Sequence, residues 1–425
     1  MSYFDTRLFY LVVLLTLSDQ NKLNMRILHT ADWHLGKKLD FYSRVEEQKV
    51  VLQEIVAIAN EKAVDMVIVA GDLFDNFTPS NESMELLYKT LNRLTRKGQV
   101  PVIAIAGNHD SPDRINVPDV LARESGIIFI GNPTDVVPLF STEDGFKVVK
   151  TDVGFVEIEL PKYDYPVRVL HTAFANELRL KEYFGEDKQS SLQDSLSSKW
   201  NDLAEKYCDQ NGVNVLTTHL FMQKRGGEVL EEPDGEKPLK IGNADVIYSD
   251  AIPASVQYAA LGHLHGYRNV GSNQPVIYSS SLLRYSFSEA NQEKYVAIID
   301  LEPGKAPEIE RVPISGGKPL LRRSFDNTLE AVEWLTENQD ALVELTIVSD
   351  SFMTAQEQKD IRQAHGGIIH LIPQVRNAGN NDLEKKEINL SEDMNVLFQQ
   401  YFQSKNNGQE PNEELMSLFN EILNA

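Results

Sequence analysis

The 425-residue sequence contains a single cysteine, Cys208. One cysteine excludes an internal disulfide framework and any zinc cluster built from cysteines. A reducing compartment, the cytoplasm, is therefore the expected location, and we expect Cys208 to be a packing residue. The length allows one large domain with one or two smaller units.

Positive charge is also scarce. Lysines and arginines number 41 against 63 aspartates and glutamates, which gives a formal net charge of -22. Such acidity argues against a protein that binds nucleic acid by bulk electrostatics. Four small basic clusters could still contact phosphate locally: Lys37-Lys38, Arg93 with Arg96-Lys97, Lys224-Arg225 and Arg322-Arg323.

The apolar run near the N-terminus, residues 8–17, is too short to span a bilayer as a helix. No small-residue cleavage site follows it, as a secretory signal would require. We expect Met25 to be the biological start and residues 1–24 to be an upstream extension. A signal or membrane anchor is the alternative.

The sequence does contain an alternation of apolar runs and amphipathic stretches, which is typical of a layered α/β domain. Helical spacing predicts helices over residues 45–62 and 82–96. Short apolar runs predict strands over residues 66–70, 101–106, 213–218 and 258–261.

We expect four parts along the chain: the extension 1–24, a catalytic domain 25–315, a small α+β domain 316–383 and a helical segment 384–425. The polar insertion 176–211 and the loop 223–243 carry no obvious chemistry. Two short amphipathic helices are expected in the last segment. They either cover the core of the protein itself or dock onto the helices of a partner.

Five short polar motifs each follow an apolar run. They are Asp32-Trp33-His34, Gly71-Asp72, Gly107-Asn108-His109-Asp110, His219 and Gly262-His263-Leu264-His265. Because ligands collect at the carboxyl ends of strands in open α/β sheets, we expect the motifs to converge. Carboxylates, imidazoles and a side-chain amide are the ligand mixture that holds two divalent metals side by side. The mixture indicates phosphate-ester hydrolysis.

Spacing within two of the motifs suits shared ligation. Asp32 and His34 are one residue apart, so in extended backbone both side chains project to the same side and can bind one metal. His263 and His265 repeat that spacing. Asp72 can bridge two cations, although an aspartate after a glycine, taken alone, is more often a turn residue.

In the motif at residues 107–110, different residues are expected to bind metal and to transfer a proton. Asn108 offers a neutral oxygen ligand, and the adjacent His109 cannot easily reach the same metal. His109 can instead face the scissile phosphate, where it protonates the leaving oxygen or stabilises charge, while Asp110 orients its ring. Four other histidines are predicted to be structural: His29, His171, His365 and His370.

This ordered set resembles the calcineurin-like metallophosphoesterase superfamily over residues 27–265. Within that superfamily, residues 25–36, 69–75 and 106–111 are similar to SbcD-type DNA nuclease subunits, which partner an SbcC-like SMC-type ATPase. The resemblance implies two mixed sheets flanked by helices, a small capping domain and a C-terminal helix pair that contacts the partner. It also implies DNA as substrate and a homodimer of nuclease domains.

The resemblance further implies a division of the ligands between two metals. One metal would be held by Asp32, His34, Asp72 and His265, and the second by Asp72, Asn108, His219 and His263. Manganese is the metal implied, and the same mixed ligands are also compatible with iron or zinc. Archaeal and eukaryotic relatives often have a histidine where this chain has Asp75.

We therefore expect a manganese-dependent DNA nuclease, a 3'-5' exonuclease and single-strand endonuclease. Its substrates would be double-strand ends, single-stranded DNA and hairpins, in DNA repair, recombination and replication. The nearest alternative is a small-nucleotide phosphodiesterase or phosphoprotein phosphatase of the same superfamily, which the acidity favours. A non-catalytic scaffold with a residual metal site is the alternative from another class.

Overall fold

A computed structural model of the chain describes residues 24–183, 188–228, 230, 246–350, 353–376, 394–405, 410–411, 415–416 and 419–420. The expected extension at 1–24 therefore lies outside the described residues, except for residue 24. Among the described residues, none of the helices combines the length and the apolar character needed to cross a membrane.

The strands of the described chain are numbered here in chain order. They are β1 Met25–Thr30, β2 Lys38–Leu39, β3 Tyr42–Ser43, β4 Met66–Ala70, β5 Val102–Ile105, β6 Ile127–Ile130, β7 Phe140–Ser141, β8 Lys147–Asp152, β9 Phe155–Glu159, β10 Val167–Thr172, β11 Val213–His219, β12 Met222–Gln223, β13 Ile247–Tyr248, β14 Tyr258–Gly262, β15 Arg268–Asn269, β16 Val276–Tyr278, β17 Lys294–Leu301, β18 Glu308–Ile314, β19 Leu320–Phe325, β20 Leu342–Ser349 and β21 Ile368–Val375.

The α-helices of the described chain are numbered in the same way. They are α1 Val45–Glu61, α2 Asn81–Leu94, α3 Pro112–Asn116, α4 Asp119–Glu124, α5 Glu177–Leu180, α6 Lys188–Tyr207, α7 Thr328–Glu337, α8 Ala355–Ala364 and α9 Met394–Lys405. Two single-turn 3₁₀ helices lie at Ser249–Ala251 and Phe287–Glu289.

Two mixed sheets form the larger part of the molecule. Among the described residues, the first sheet has the strand order β18-β17-β1-β4-β5-β6, and the second has the order β15-β16-β14-β11-β10-β9-β8-β7. Strands β1, β4, β5 and β6 run parallel, and so do β10, β11, β14 and β16. Each sheet therefore brings the carboxyl ends of several strands to one edge.

The two sheets share one apolar core. Side chains from β4 and β5 in the first sheet and from β10 and β11 in the second belong to the same buried cluster, which also includes one face of α1 and of α2. A second cluster packs α6 against the outer side of the second sheet, with Trp200 fully buried and its Nε1 donating to Thr172 Oγ1 at 2.9 Å. The layers are helix, sheet, sheet and helix, so the expected layered α/β fold is confirmed.

The chain divides into two compact units, one of Met1–Leu321 with Asp340–Leu342 and the other of Arg322–Gln339 with Val343–Ala425. In the second unit, β20 and β21 run parallel beside β19. Helices α7 and α8 begin at side-chain caps, because Asn327 accepts from Glu330 N and Thr354 forms a capping box with Glu357. The small α+β arrangement agrees with the sequence pattern.

Helix and strand positions follow the sequence predictions to within one or two residues. The helix expected over 45–62 is Val45–Glu61, and the strand expected over 66–70 is Met66–Ala70. The first expected C-terminal helix is present as α9. Most of the second, like most of the loop 223–243, lies outside the described residues.

Candidate metal centre

All five motifs lie at the carboxyl ends of neighbouring parallel strands. Asp32-Trp33-His34 follows β1, Gly71-Asp72 follows β4, and residues 107–110 follow β5. His219 is the last residue of β11, and Gly262 is the last residue of β14. The motifs therefore converge, as the strand pattern predicts.

The local backbone at the first motif differs from the prediction. Asp32 and His34 were expected to share a direction because the chain is extended, but both have positive φ angles, 53° and 43°. The loop turns there and pairs with the next one, since Asp32 N donates to Gly71 O at 3.1 Å and His34 N donates to Asp72 O at 2.9 Å. Loop pairing, not a strand pleat, thus aims the two side chains together.

The predicted ligands form two buried groups around Asp72. Within the described residues, ligand atoms of Asp32, His34 and His265 lie within 4.8 Å of one another, and so do those of Asp72, His219 and His263. Asn108 belongs beside the latter, because its Oδ1 lies 3.0 Å from His219 Nε2. We call Asp32, His34 and His265 the first group, and Asn108, His219 and His263 the second group.

Asp72 lies between the groups. Its Oδ2 is 3.6 Å from His34 Nε2 in the first group and 3.3 Å from His219 Nε2 in the second. Its Oδ1 accepts from His109 N at 2.9 Å. Burial on its own raises the pKa of this carboxyl, but the nearby His219 and His34 outweigh burial and hold it well below its usual range.

The burial and hydrogen bonding of the Asp32 carboxylate show whether the cluster suits a cation. Its Oδ1 accepts from His263 N at 2.8 Å, whereas its Oδ2 is buried and has no hydrogen-bond partner among the described residues. Burial raises the pKa of Asp32 to about 7. A buried carboxylate oxygen without a partner is unfavourable unless a cation compensates it. The donor set of carboxylates, imidazoles and one amide oxygen therefore fits divalent cations.

Close backbone approach shapes the second group. His219 Nδ1 donates to Ala70 O at 2.9 Å, which leaves Nε2 to face Asn108 and Asp72. Gly71 has a φ of +90°, and a Cβ there would overlap the ring of His219. A Cβ at Gly262 would overlap the carbonyl oxygen of Ala70. Both glycines are thus required by contact between the two sheets.

The prediction that Asp110 orients the ring of His109 is wrong. His109 Nδ1 donates to the backbone carbonyl of Asp75 at 2.7 Å. The carboxylate of Asp110 accepts from the backbone N–H groups of Gly107, Leu73 and Phe74 at 2.8–3.0 Å. Asp110 therefore ties the loop at residues 107–110 to the loop after β4. The carbonyl contact leaves Nε2 as the ring atom of His109 that can exchange a proton.

Sequence reasoning missed the side chains that hold the loops. Gln48 of α1 donates to His34 O at 2.8 Å, and Tyr285 donates to Trp33 O at 2.5 Å. Arg179 donates to the carbonyls of Gly107 and Asp110, each at 2.9 Å. Arg179 lies in the insertion 176–211, so this insertion helps to hold the loop at residues 107–110. No spacing rule connects these residues with the motifs they support.

A buried ion pair was also missed. Glu289 Oε1 lies 3.2 Å from His265 Nδ1, and Glu289 Oε2 lies 2.6 Å from Lys294 Nζ. Burial opposes the charge on Glu289, but Lys294 and His265 outweigh it and lower the pKa of Glu289 to about 2. A glutamate followed five residues later by a lysine is too common a pattern to identify this pair.

The remaining histidines lie apart from the two ligand groups. His29 contacts Tyr258 Oη at 2.8 Å and Leu261 O at 3.1 Å, and burial lowers its pKa to about 3. Burial also lowers the pKa of His171, to about 4. His365 contacts Asn338 O at 2.9 Å, and His370 contacts Glu344 at 2.8 Å, both in the second unit.

Comparison with known proteins agrees with this geometry. The family model described as calcineurin-like phosphoesterase matches residues 25–267. The SbcD component of the SbcCD nuclease of Bacillus subtilis (strain 168) is 33% identical over 411 residues, which are 94% of this chain and 98% of that protein. The SbcD component of the SbcCD nuclease of Staphylococcus epidermidis is 30% identical over 301 residues, 70% of each chain.

Among solved structures, TT1561 of Thermus thermophilus covers 68% of this chain and 99% of its own, at 13% identity and a TM-score of 0.33. The family model spans more than half of the sequence, and the two SbcD relatives align with most of it. The chain therefore belongs to the calcineurin-like phosphoesterase family and, within it, to the SbcD-type members.

Proposed function

We propose that the protein is a metal-dependent phosphodiesterase that acts as a DNA nuclease. The observation that carries this proposal is the convergence of the two buried ligand groups on Asp72, whose Oδ2 lies within 3.6 Å of imidazole nitrogens from both. A bridging carboxylate between two sets of imidazole and oxygen ligands suits two-metal chemistry on a phosphodiester.

In this proposal each residue has a stated task. One cation would be held by Asp32, His34, Asp72 and His265, and the other by Asp72, Asn108, His219 and His263. Bound divalent cations supply Lewis-acid polarisation of the phosphoryl group and activation of water. His109 Nε2 faces the leaving oxygen and protonates it, and the Asp75 carbonyl keeps the ring in place.

Manganese, the metal that the family resemblance implies, is the proposed metal, and the mixture of hard oxygens and imidazoles is compatible with it. The substrates proposed are double-strand ends, single-stranded DNA and hairpins, cleaved by exonuclease (3'-5') and endonuclease action in DNA repair, recombination and replication. Support comes from two relatives that are named as the SbcD component of the SbcCD nuclease, one aligned over 98% of its length. The cytoplasm is the proposed location.

The acidity of the chain favours a second candidate, a small-nucleotide phosphodiesterase or phosphoprotein phosphatase. Three members of the basic clusters are already paired with carboxylates: Lys37 with Asp75 at 3.2 Å, Arg225 with Asp250 at 2.7 Å and Arg322 with Glu344 at 2.6 Å. Their charge is therefore partly neutralised before DNA arrives. A nuclease built this way depends on its cations or on a partner for phosphate attraction.

The deciding experiment compares DNA with a small diester. End-labelled blunt duplex, single-stranded and hairpin DNA are incubated with manganese beside bis-p-nitrophenyl phosphate, using wild type and Asp32→Asn. We expect wild type to cleave both substrate classes and the variant to cleave neither. Hydrolysis of the small diester alone, even with an SbcC-like ATPase and ATP added, would discard the nuclease and keep the hydrolase. Inactivity of wild type on every substrate would refute the proposal.

The segment 384–425 is proposed to dock an SbcC-like SMC-type ATPase, and residues 316–383 to cap the DNA site. Helix α9 supports the docking role because Met394 and Tyr401 are exposed by 51% and 57%. Phe398 stacks on Phe419 at 4.1 Å, so the segment has its own aromatic contact. Titration of the ATPase against wild type and Met394→Glu should show weaker binding by the variant. Equal affinity would remove α9 from the interface.

A homodimer of the catalytic units is proposed through the turn that follows α3 and the first turn of α4. Val117, Val120 and Leu121 there are exposed by 82%, 65% and 72%, which is unusual for adjacent large apolar side chains. Light scattering should give a dimer for wild type and a monomer for Leu121→Glu. Leu178→Glu is the matched control, since Leu178 is exposed by 84% on α5. A wild-type monomer would refute the dimer.

A further inference from the structure

Glu289 and Lys294 form a buried ion pair that a contribution to stability alone does not explain. Their side chains are 2% and 3% exposed, and Lys294 Nζ lies 2.6 Å from Glu289 Oε2. Removing two charges from water is expensive, and well-packed apolar residues in place of such a pair are often equally stable or better. A pair retained at this depth therefore calls for a role beyond packing.

Both members of the pair contact the same residue, His265. Glu289 Oε1 lies 3.2 Å from His265 Nδ1, and Lys294 Nζ donates to His265 O at 2.8 Å. Lys294 also donates to Ser281 Oγ at 2.9 Å, while Ser281 N donates to His265 O at 3.2 Å. The imidazole is thus held at its far nitrogen, and its backbone is held at its carbonyl.

The direction of the hydrogen bond between His265 and Glu289 determines which nitrogen of His265 can act as a ligand in the first group. A carboxylate can only accept, so His265 Nδ1 carries the hydrogen and the lone pair belongs to Nε2. His265 Nε2 lies 3.1 Å from His34 Nε2, on the side of the ring that faces the other ligands. Carboxylate contacts to the second nitrogen of an imidazole ligand are known to fix its tautomer and orientation.

We propose that Glu289 and Lys294 are positioning residues for His265, with Glu289 fixing its tautomer and ring angle and Lys294 fixing Glu289 and the His265 backbone. The inference rests on the metal-binding part of the proposed function and names residues outside all five motifs. It applies to the first group. In the second group the corresponding nitrogen of His219 is held by the Ala70 carbonyl.

Manganese binding to the full-length protein tests the proposal without any substrate. Free manganese is followed by electron paramagnetic resonance during titration of wild type and Glu289→Gln, a change that keeps the shape and removes the charge. We expect two sites in wild type. In the variant, one site should keep its affinity and the other should weaken by about 10–100-fold.

Glu157→Gln is the matched control. Glu157 and Arg168 form another buried pair, 7% and 8% exposed, and the Glu157 carboxylate contacts Arg168 and Lys150. This variant should lose stability in a thermal melt, as Glu289→Gln should, but keep both manganese affinities. A purely structural role for Glu289 predicts the same outcome for both variants.

The outcomes separate this inference from the proposed function. Two unchanged manganese sites in Glu289→Gln would overturn the inference and leave the function standing. A wild type that binds no manganese would overturn the function itself. If Glu289→Gln does not fold, Glu289→Gln/Lys294→Met removes both charges together, and the same loss at one site is expected.

Discussion

The two ligand groups that share Asp72 are supported in different ways. In the first group, His265 is held by a carboxylate and the loop containing His34 is held by Gln48, so side chains from distant parts of the chain provide the support. In the second group, His219 is held by a backbone carbonyl of the neighbouring sheet. Main-chain support follows from the packing of the two sheets, whereas side-chain support can be altered without moving a strand.

Removing Asp72, which lies between the two groups, should affect both of them alike and have the largest effect on metal binding and hydrolysis. We expect Asp72→Ala to lose both manganese ions and to reduce hydrolysis to background, because Asp72 Oδ2 lies near imidazoles of both groups. Metal content per chain and hydrolysis of bis-p-nitrophenyl phosphate measure this. Full occupancy of either site in a folded variant would show that Asp72 does not bridge.

Removing one imidazole from each group in turn should distinguish the metal sites of the two groups. His265→Ala and His263→Ala are matched variants two residues apart, and each is expected to lose one manganese ion. Activity should fall by more than the about 10–100-fold attributed to outer partners. Spin coupling between the two ions in electron paramagnetic resonance should disappear in both variants. Loss of two ions in one variant and none in the other would reject the assigned division.

His109→Gln should leave both groups intact and slow the reaction. The ring of His109 lies beside His34, with centroids 4.9 Å apart, and is held by the Asp75 carbonyl. In the proposed function it would protonate the leaving oxygen. We expect both manganese ions to remain and turnover to fall by about 10²–10⁴-fold, the usual contribution of a general acid. Unchanged turnover would remove His109 from the chemistry, and lost metal would make it a ligand.

A steric change should disturb the second group through its backbone contact and have the smallest effect. Gly71→Ala places a Cβ against His219, at a φ of +90°. Gly226→Ala has the same kind of backbone, φ +69°, with no atom of the described residues within 4 Å of the added Cβ. Strain alone should cost Gly226→Ala about 1 kcal/mol. Overpacking should bring Gly71→Ala to about 2–4 kcal/mol.

Denaturant unfolding of the metal-free protein measures both glycine variants. We also expect Gly71→Ala, and not Gly226→Ala, to weaken manganese binding at one site, since the displaced ring belongs to the second group. Equal destabilisation by the two substitutions would show that the backbone angle matters and the contact with His219 does not.

Sequence patterns predicted the convergence of the motif residues because their signal is local. Each motif directly follows an apolar run, and parallel strands must end at one edge, so convergence followed without knowing the loops. Long helices such as Val45–Glu61 were equally accessible from their apolar period.

The supporting residues could not be predicted, because contacts such as Glu289 with His265 join segments through the tertiary fold. Asp110 was assigned to its neighbour His109, yet its carboxylate accepts from Leu73 and Phe74, more than thirty residues earlier in the chain. The turn at Asp32 and His34 was taken for a strand, since the spacing of one residue is the same in both. In each case adjacency in sequence was mistaken for contact.

The positive φ angles of Asp32, His34, Asp72 and His263 have an evolutionary consequence. Valine, isoleucine and threonine fit poorly into such backbone, whereas asparagine and glycine fit well. The backbone conformation at these positions therefore restricts which substitutions are tolerated, independently of any requirement for catalysis. A homologue could exchange aspartate for asparagine, keep its loops and its fold, and lose activity. Inactive members of the family should therefore still have recognisable motifs.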